Sequence, residues 1–233
     1  MAARNPGVSD ALAKLARKTS QVFDDTFQQL DQLASVYCQE ARSALDKGLS
    51  LTAENFARAK SRMIRTLSSS DPVVSTMGIL VDSDVIKGLP YWLDCIERDP
   101  DGAIHAAHNE SLPWRESFYE YLTADWMSVP RSEHVKYVAG PYVDLDRYLI
   151  SLSVPILVDD AFLGVVVADI RLDDFERMLA PLLSKANFDC AVLNADNRVL
   201  VSNSASFPVG ELVDSTKLTS IPCSDVGWYV AAI

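Results

Sequence analysis

The chain has 233 residues, 48% of them hydrophobic, and a formal net charge of −11. That length suits one large domain or two small ones, and that composition belongs to a globular chain rather than a disordered one. The acidity excludes nucleic acid as a partner of this chain alone, because affinity for a phosphate backbone comes from clustered Lys and Arg.

The opening MAARNPGVSDALAKLARKTSQ has no apolar signal core, and no later window is long and apolar enough to span a bilayer. A soluble cytoplasmic chain with no membrane segment is expected, or an extracytoplasmic one if the sequence is a fragment of a receptor. From Ser9 to Lys47 there is neither Pro nor Gly, and Leu12, Leu15, Val22, Phe23, Leu30, Leu33, Tyr37, Ala41 and Ala44 recur near helical spacing. This predicts one long helix ended at Gly48. Its stripe exceeds what one small core needs, so it packs along an elongated monomer or forms a homodimer seam.

Thr52 reads as the N-cap of a second helix carrying Phe56, Met63, Ile64 and Leu67, which stops in the Ser68–Pro72 run. Val73 to Val81 then reads as a strand, and Asp99-Pro100-Asp101-Gly102 as a turn. Pro113 to Val129 is rich in aromatics and reads as a short helix and loop over the sheet.

Two strands follow. In Arg147 to Val158, Tyr148, Ile150, Leu152, Val154, Ile156 and Val158 share one face, while Ser151, Ser153 and Pro155 share the other. Phe162 to Ile170 is an apolar β-branched run interrupted by Asp169. A three-residue loop of Asp159, Asp160 and Ala161 would set Val158 against Phe162, Asp169 against Ser151, and Val167 against Ser153. Asp169 then sits on a face of small polar residues, where there is room beside a carboxylate for a ligand. Without a ligand, the same Asp would cap the helix starting near Asp173 or bond a loop amide.

A helix from Asp173 through Leu179 leads into a smaller β-rich segment: Phe188 to Leu193, a turn at Asn194–Asn197, Arg198 to Ser202, and a last strand Gly227 to Ile233. The four cysteines, Cys38, Cys95, Cys190 and Cys223, form no CxxC pair, so reduced, packed thiols are expected rather than a zinc site or disulfide framework. His105 and His108 have HxxH spacing in a loop-like region with no third ligand indicated. No GxSxG setting and no glycine-rich phosphate loop is present, so catalysis and a cofactor have no support.

The long N-terminal helix, WRESFYEYL (Trp114 to Leu122), GPYVDLDRYLISLSVPI (Gly140 to Ile156), FLGVVVADIRLDDF, FDCAVLNADNRVLVSN and GWYVAAI together resemble the Cache superfamily of PAS-like sensor domains, in its double form. The resemblance implies an α+β fold: a helical spine (1–72), a distal PAS-like ligand-binding sheet (73–180) and a small proximal PAS-like lobe (181–233). It implies a sensory module, not an enzyme, that binds an amine, an amino acid or a small carboxylate and passes the signal to a downstream protein of unknown identity. In amino-acid-sensing members an Arg two residues before a Trp-Tyr pair holds the ligand carboxylate, and an Asp on the last long strand holds its amino group. Asp169 matches that Asp, and Phe118 and Tyr119 match the aromatic pair. Glu116 falls in the arginine's slot, Arg115 being one place out of register, which shifts the preference toward a purely cationic ligand. Trp114, Tyr142, Ser151 and Ser153 complete the implied pocket, with Trp126 and Tyr137 as further candidate walls. The alternative is a structural or dimerising module with a vestigial pocket.

Overall fold

The computed structural model describes residues 6–90, 92–108, 121–144, 147–214 and 218–233. By spatial packing the chain divides into two compact units, one of residues 25–139 and 151–170, the other of residues up to 24, 140–150 and 171–233. Helix α1 (Pro6–Leu45) contributes to both units, and Gly48 at φ 68 follows its end. The apolar positions predicted for it, from Leu12 to Ala44, are all buried within the single chain. The stripe is therefore used up internally, and its length gives no argument for a seam with a second copy.

In the first unit the single helix expected after Thr52 is two, α2 (Ala53–Ala57) and α3 (Lys60–Ser69). Thr52 does begin α2, its backbone N–H donating to the Asn55 side chain at 2.9 Å. Breaking the helix lets Phe56 turn toward Tyr37 (ring centroids 6.3 Å) and Trp92 (5.7 Å), while Met63 and Leu67 are buried from α3. Ile64, expected among the apolar positions, is 38% exposed.

The larger sheet contains β1 (Val74–Val81), β2 (Trp92–Arg98), β3 (Ile104–His108), β4 (Tyr137–Asp144), β5 (Arg147–Val158) and β6 (Ala161–Arg171), in the order β3-β2-β1-β6-β5-β4. Helix α4 (Asp125–Glu133) precedes β4. The strands Arg147 to Val158 and Phe162 to Ile170 are neighbours as expected, but their loop has two residues, not three. Asp159 and Asp160 both have positive φ, 50° and 64°, the conformation whose twist matches paired strands. Gly164, at φ 148, lies between that turn and Asp169, and a Cβ there would meet the Leu80 carbonyl oxygen at 2.2 Å.

Strands β2 and β3 went unread in the sequence. WLDCIER mixes charge into an apolar run because Asp94, on the helical side of the sheet, is paired with Lys60 of α3 at 2.6 Å. The region of His105, read as a loop, is strand β3, with a register shift beside Cys95 and Ile96.

The second unit holds α5 (Leu172–Leu183), β7 (Cys190–Leu193), β8 (Val199–Ser202), β9 (Thr219–Cys223) and β10 (Trp228–Ala232), in sheet order β8-β7-β10-β9. Phe23 of α1 stacks on Phe175 of α5 at 5.9 Å and meets Trp228 edge-on at 5.2 Å. Asn194 organises the predicted turn, accepting from the backbone N–H groups of Asp196 and Arg198. All four cysteines are free; burial pushes the thiols of Cys190 and Cys223 up to about 11 and about 12. The molecule is thus an α+β chain with a long N-terminal helix and antiparallel sheets of six and four strands.

Candidate functional site

In an antiparallel sheet, residues paired across strands share a face, so the register assigns every side chain of β1, β2, β3 and β6 to one side. Val81 pairs with Trp92, Ile79 with Asp94 and Val166, and Met77 with Ile96 and Ala168. This is the side closed by α1, α2 and α3, through the Tyr37–Phe56–Trp92 ring contacts and the Lys60–Asp94 ion pair. Thr76 pairs with Asp169 on one flank and with Glu97 on the other, and Gly78 pairs with Val167 and Cys95. Asp169 therefore looks away from the helices.

The surroundings of Asp169 are small and hydroxylic. Ser151 Oγ donates to Asp169 Oδ1 at 2.5 Å, a charge-assisted bond that places Ser151 on the same face although the turn is one residue shorter than predicted. Ser75 Oγ donates to the Asp169 carbonyl at 3.1 Å. Ser151 and Ser153 are fully buried, and Ser153 Oγ lies 3.5 Å from the carbonyl of Tyr137. Asp169 and Thr76 are half-buried. The carboxylate is not the cap of α5, whose N-cap is Arg171.

Trp114, Arg115, Glu116, Phe118 and Tyr119 lie outside the described residues. Tyr121, the first described residue after them, is buried: its hydroxyl donates to the Val81 carbonyl at 2.8 Å and accepts from the Trp92 N–H at 3.1 Å. Arg131 of α4 makes a two-pronged pair with Asp82, at 2.9 and 2.7 Å, and donates to the Leu122 carbonyl at 3.0 Å. These contacts hold the stretch after Tyr121 against the end of β1. Trp126 is buried and stacks on Tyr121, a core role. Tyr142 is half-buried on β4 and belongs to the second unit.

His105 is exposed on β3 opposite Glu97, and its ring bonds Asp99 at 2.8 Å, which raises its pKa. Among the described residues no group of His, Cys, Asp and Glu is arranged to hold a metal ion. A cleft of about 860 Å³ lies between α1 and the end of α3, lined by Gln28, Gln29, Gln32, Arg62 and Arg65 among others, and contains none of the predicted site residues. Thr76, Gly78 and Glu97 were not singled out in the sequence, since only long-range pairing brings them beside Asp169.

No family model and no curated protein matches the chain. Solved structures do. The extracellular domain of the putative histidine kinase mmHK1S-Z2 is 11% identical over 97% of this chain and 96% of its own, with a TM-score of 0.64. The periplasmic sensory domain of the Campylobacter jejuni chemoreceptor Tlp1 is 12% identical over 96% and 92%, with a TM-score of 0.66. The ligand-binding domain of the Pseudomonas fluorescens chemoreceptor CtaA, in complex with L-valine, is 12% identical over 97% of both chains, with a TM-score of 0.58. The chain therefore shares the fold of these sensor domains over nearly its whole length. No helix among the described residues is long and apolar enough to cross a membrane.

Proposed function

We propose that the chain is a sensory module that binds a small amine or amino acid at the Asp169 face of the larger sheet and performs no chemistry on it. One observation carries the reading: a half-buried carboxylate, held by the buried Ser151 hydroxyl, on a sheet face that at that end also carries Thr76, Glu97 and Ser153. A carboxylate so placed accepts charge-assisted hydrogen bonds from an ammonium group. Structural neighbours support a ligand of this class, since one was solved with GABA and another with L-valine. Glu116, Phe118, Tyr119 and Trp114 complete the site in this proposal by sequence resemblance, and a Glu at 116 turns it toward cationic ligands. The neighbours are extracellular or periplasmic portions of receptors, which favours the extracytoplasmic of the two locations and an output through a signalling partner. The homodimer through α1 would have to use the polar side of that helix.

The test is Asp169→Asn. Asn keeps the shape and can still accept from Ser151, but it loses the charge, which is worth about 1.5–3 kcal/mol to a ligand ammonium. Calorimetry is expected to show affinity for an amine or amino-acid ligand falling about ten- to a hundredfold, with the melting temperature of the empty protein unchanged. A lower melting temperature with unchanged affinity identifies a structural aspartate and a vestigial pocket.

A further inference from the structure

We propose that the cleft between α1 and the end of α3 is a second binding site, for a small polycarboxylate anion held by Arg62, Arg65 and the buried hydroxyl of Thr26. The cleft measures about 860 Å³, and all of its lining residues belong to the first unit. Gln28, Gln29 and Gln32 line it from one side of α1, and Arg62 and Arg65, three residues apart on α3, line it from the other wall. Among the described residues neither guanidinium has an ion pair or a hydrogen bond, and the three glutamine amides have none. The chain carries 32 acidic residues against 21 Lys and Arg, so two neighbouring arginines with no acid in ion-pair reach run against its composition. Thr26 is an independent sign. It is 2% exposed and lines the cleft, yet its hydroxyl has no partner among the described residues. A buried hydroxyl left unsatisfied is destabilising, and a ligand oxygen bound beside it removes that penalty.

The donors decide the ligand class. The hydroxyls of Thr66, Ser68 and Ser69 are turned back onto α3, donating to the carbonyls of Arg62, Ile64 and Thr66, so the guanidinium pair is what α3 offers to the cleft. The carbonyl end of α3 would repel an anion, but it is covered: the Leu67 carbonyl accepts from Arg98 and from Ser70 Oγ. Asp71 is engaged in its own loop, its carboxylate accepting from the Val73 N–H at 3.0 Å, and Asp25 is the exposed acid of the lining. Guanidinium forks carried on Cβ atoms roughly 5–6 Å apart suit two carboxylates of one short carbon chain better than a single phosphate group. Every lining residue is polar, so the wall gives an aromatic or long-chain acid no apolar surface, while amides and a hydroxyl meet the oxygens of a compact one. None of this depends on the reading of Asp169, which lies outside the cleft.

Calorimetry on the full chain with citrate, inorganic phosphate and glycerol tests the proposal. Citrate is expected to bind about tenfold or more tighter than phosphate, and glycerol not at all. Arg62→Gln and Arg65→Gln should each weaken citrate about tenfold, whereas Arg177→Gln, which removes an exposed arginine on α5, should leave it unchanged. Thr26→Val should weaken citrate severalfold without lowering the melting temperature of the empty protein, because it replaces an unpartnered buried hydroxyl by a methyl group of similar shape. Asp169→Asn should leave citrate binding as it was. No citrate binding up to millimolar concentration, phosphate binding as tightly as citrate, or equal losses in Arg177→Gln and Arg62→Gln overturns the proposal. So does unchanged citrate affinity in either cleft arginine variant or in Thr26→Val. Loss of citrate in Asp169→Asn overturns it too, by placing the anion on the sheet face instead.

Discussion

The two faces of the larger sheet are made of different materials. Toward the helices stand Met77, Ile79, Val81, Ile96, Val166, Ala168 and Trp92, each at most 3% exposed, and the one acid among them, Asp94, is held by Lys60. Away from the helices, Leu80, Val165 and Val167 are also buried, but the row at the far end is Asp169, Thr76, Glu97 and His105. Large side chains interdigitate and leave no space for another molecule. Serine and threonine cannot fill the same area, so at that end the backbone lies close to whatever covers it. One face is thus a core, and the other grades from core to polar surface within a single strand's length.

Three substitutions sharpen that contrast. Phe56→Ala, on the helical face, removes a ring that touches both Tyr37 and Trp92 and leaves a void they cannot close. It should cost about 3–5 kcal/mol, read as a lowered urea midpoint at constant slope. Ser151→Ala, on the opposite face, deletes the donor to Asp169 without opening a large cavity. Its expected cost is about 1–2 kcal/mol in the same denaturation experiment. A loss equal to that of Phe56→Ala would show that the polar end is packed like a core.

The smallest effect belongs to His105, at the exposed end of the row. Its pKa is raised chiefly by the hydrogen bond to Asp99, with the Ala106 carbonyl adding to it. The folded value lies above the unfolded one, so the contribution of the pair is fully present below the unfolded pKa and is lost as pH rises through the folded pKa. NMR titration of the ring is expected to show its pKa falling toward the ordinary histidine value in Asp99→Asn, with the urea midpoint at neutral pH nearly unmoved because the pair is solvated. A marked change in midpoint would mean that the polar row is a stabilising network.

Much of the fold could be read locally. Helix α1 follows from helical spacing without Pro or Gly, and the β5–β6 hairpin from alternation and two aspartates tolerant of positive φ. The strongest site candidate, Asp169, stood out because a lone carboxylate inside a β-branched run demands a partner. The turn length was misread by one residue, yet Ser151 Oγ still donates to Asp169.

What local pattern determined, then, was each element whose period extends over many residues, together with the aspartate that breaks one of those periods. Tertiary structure alone decided what those elements meet. Strand β2 reads as mixed because Asp94 is satisfied by Lys60, 34 residues earlier, and Glu97 joins the row of Asp169 only because β1 lies between β2 and β6. Likewise the stripe of α1 is compatible with a second copy or with the chain itself, and only the packed chain shows that its own residues cover it. Periodicity records which side of an element shuns water; which residues cover that side is set by pairings between segments far apart in the chain.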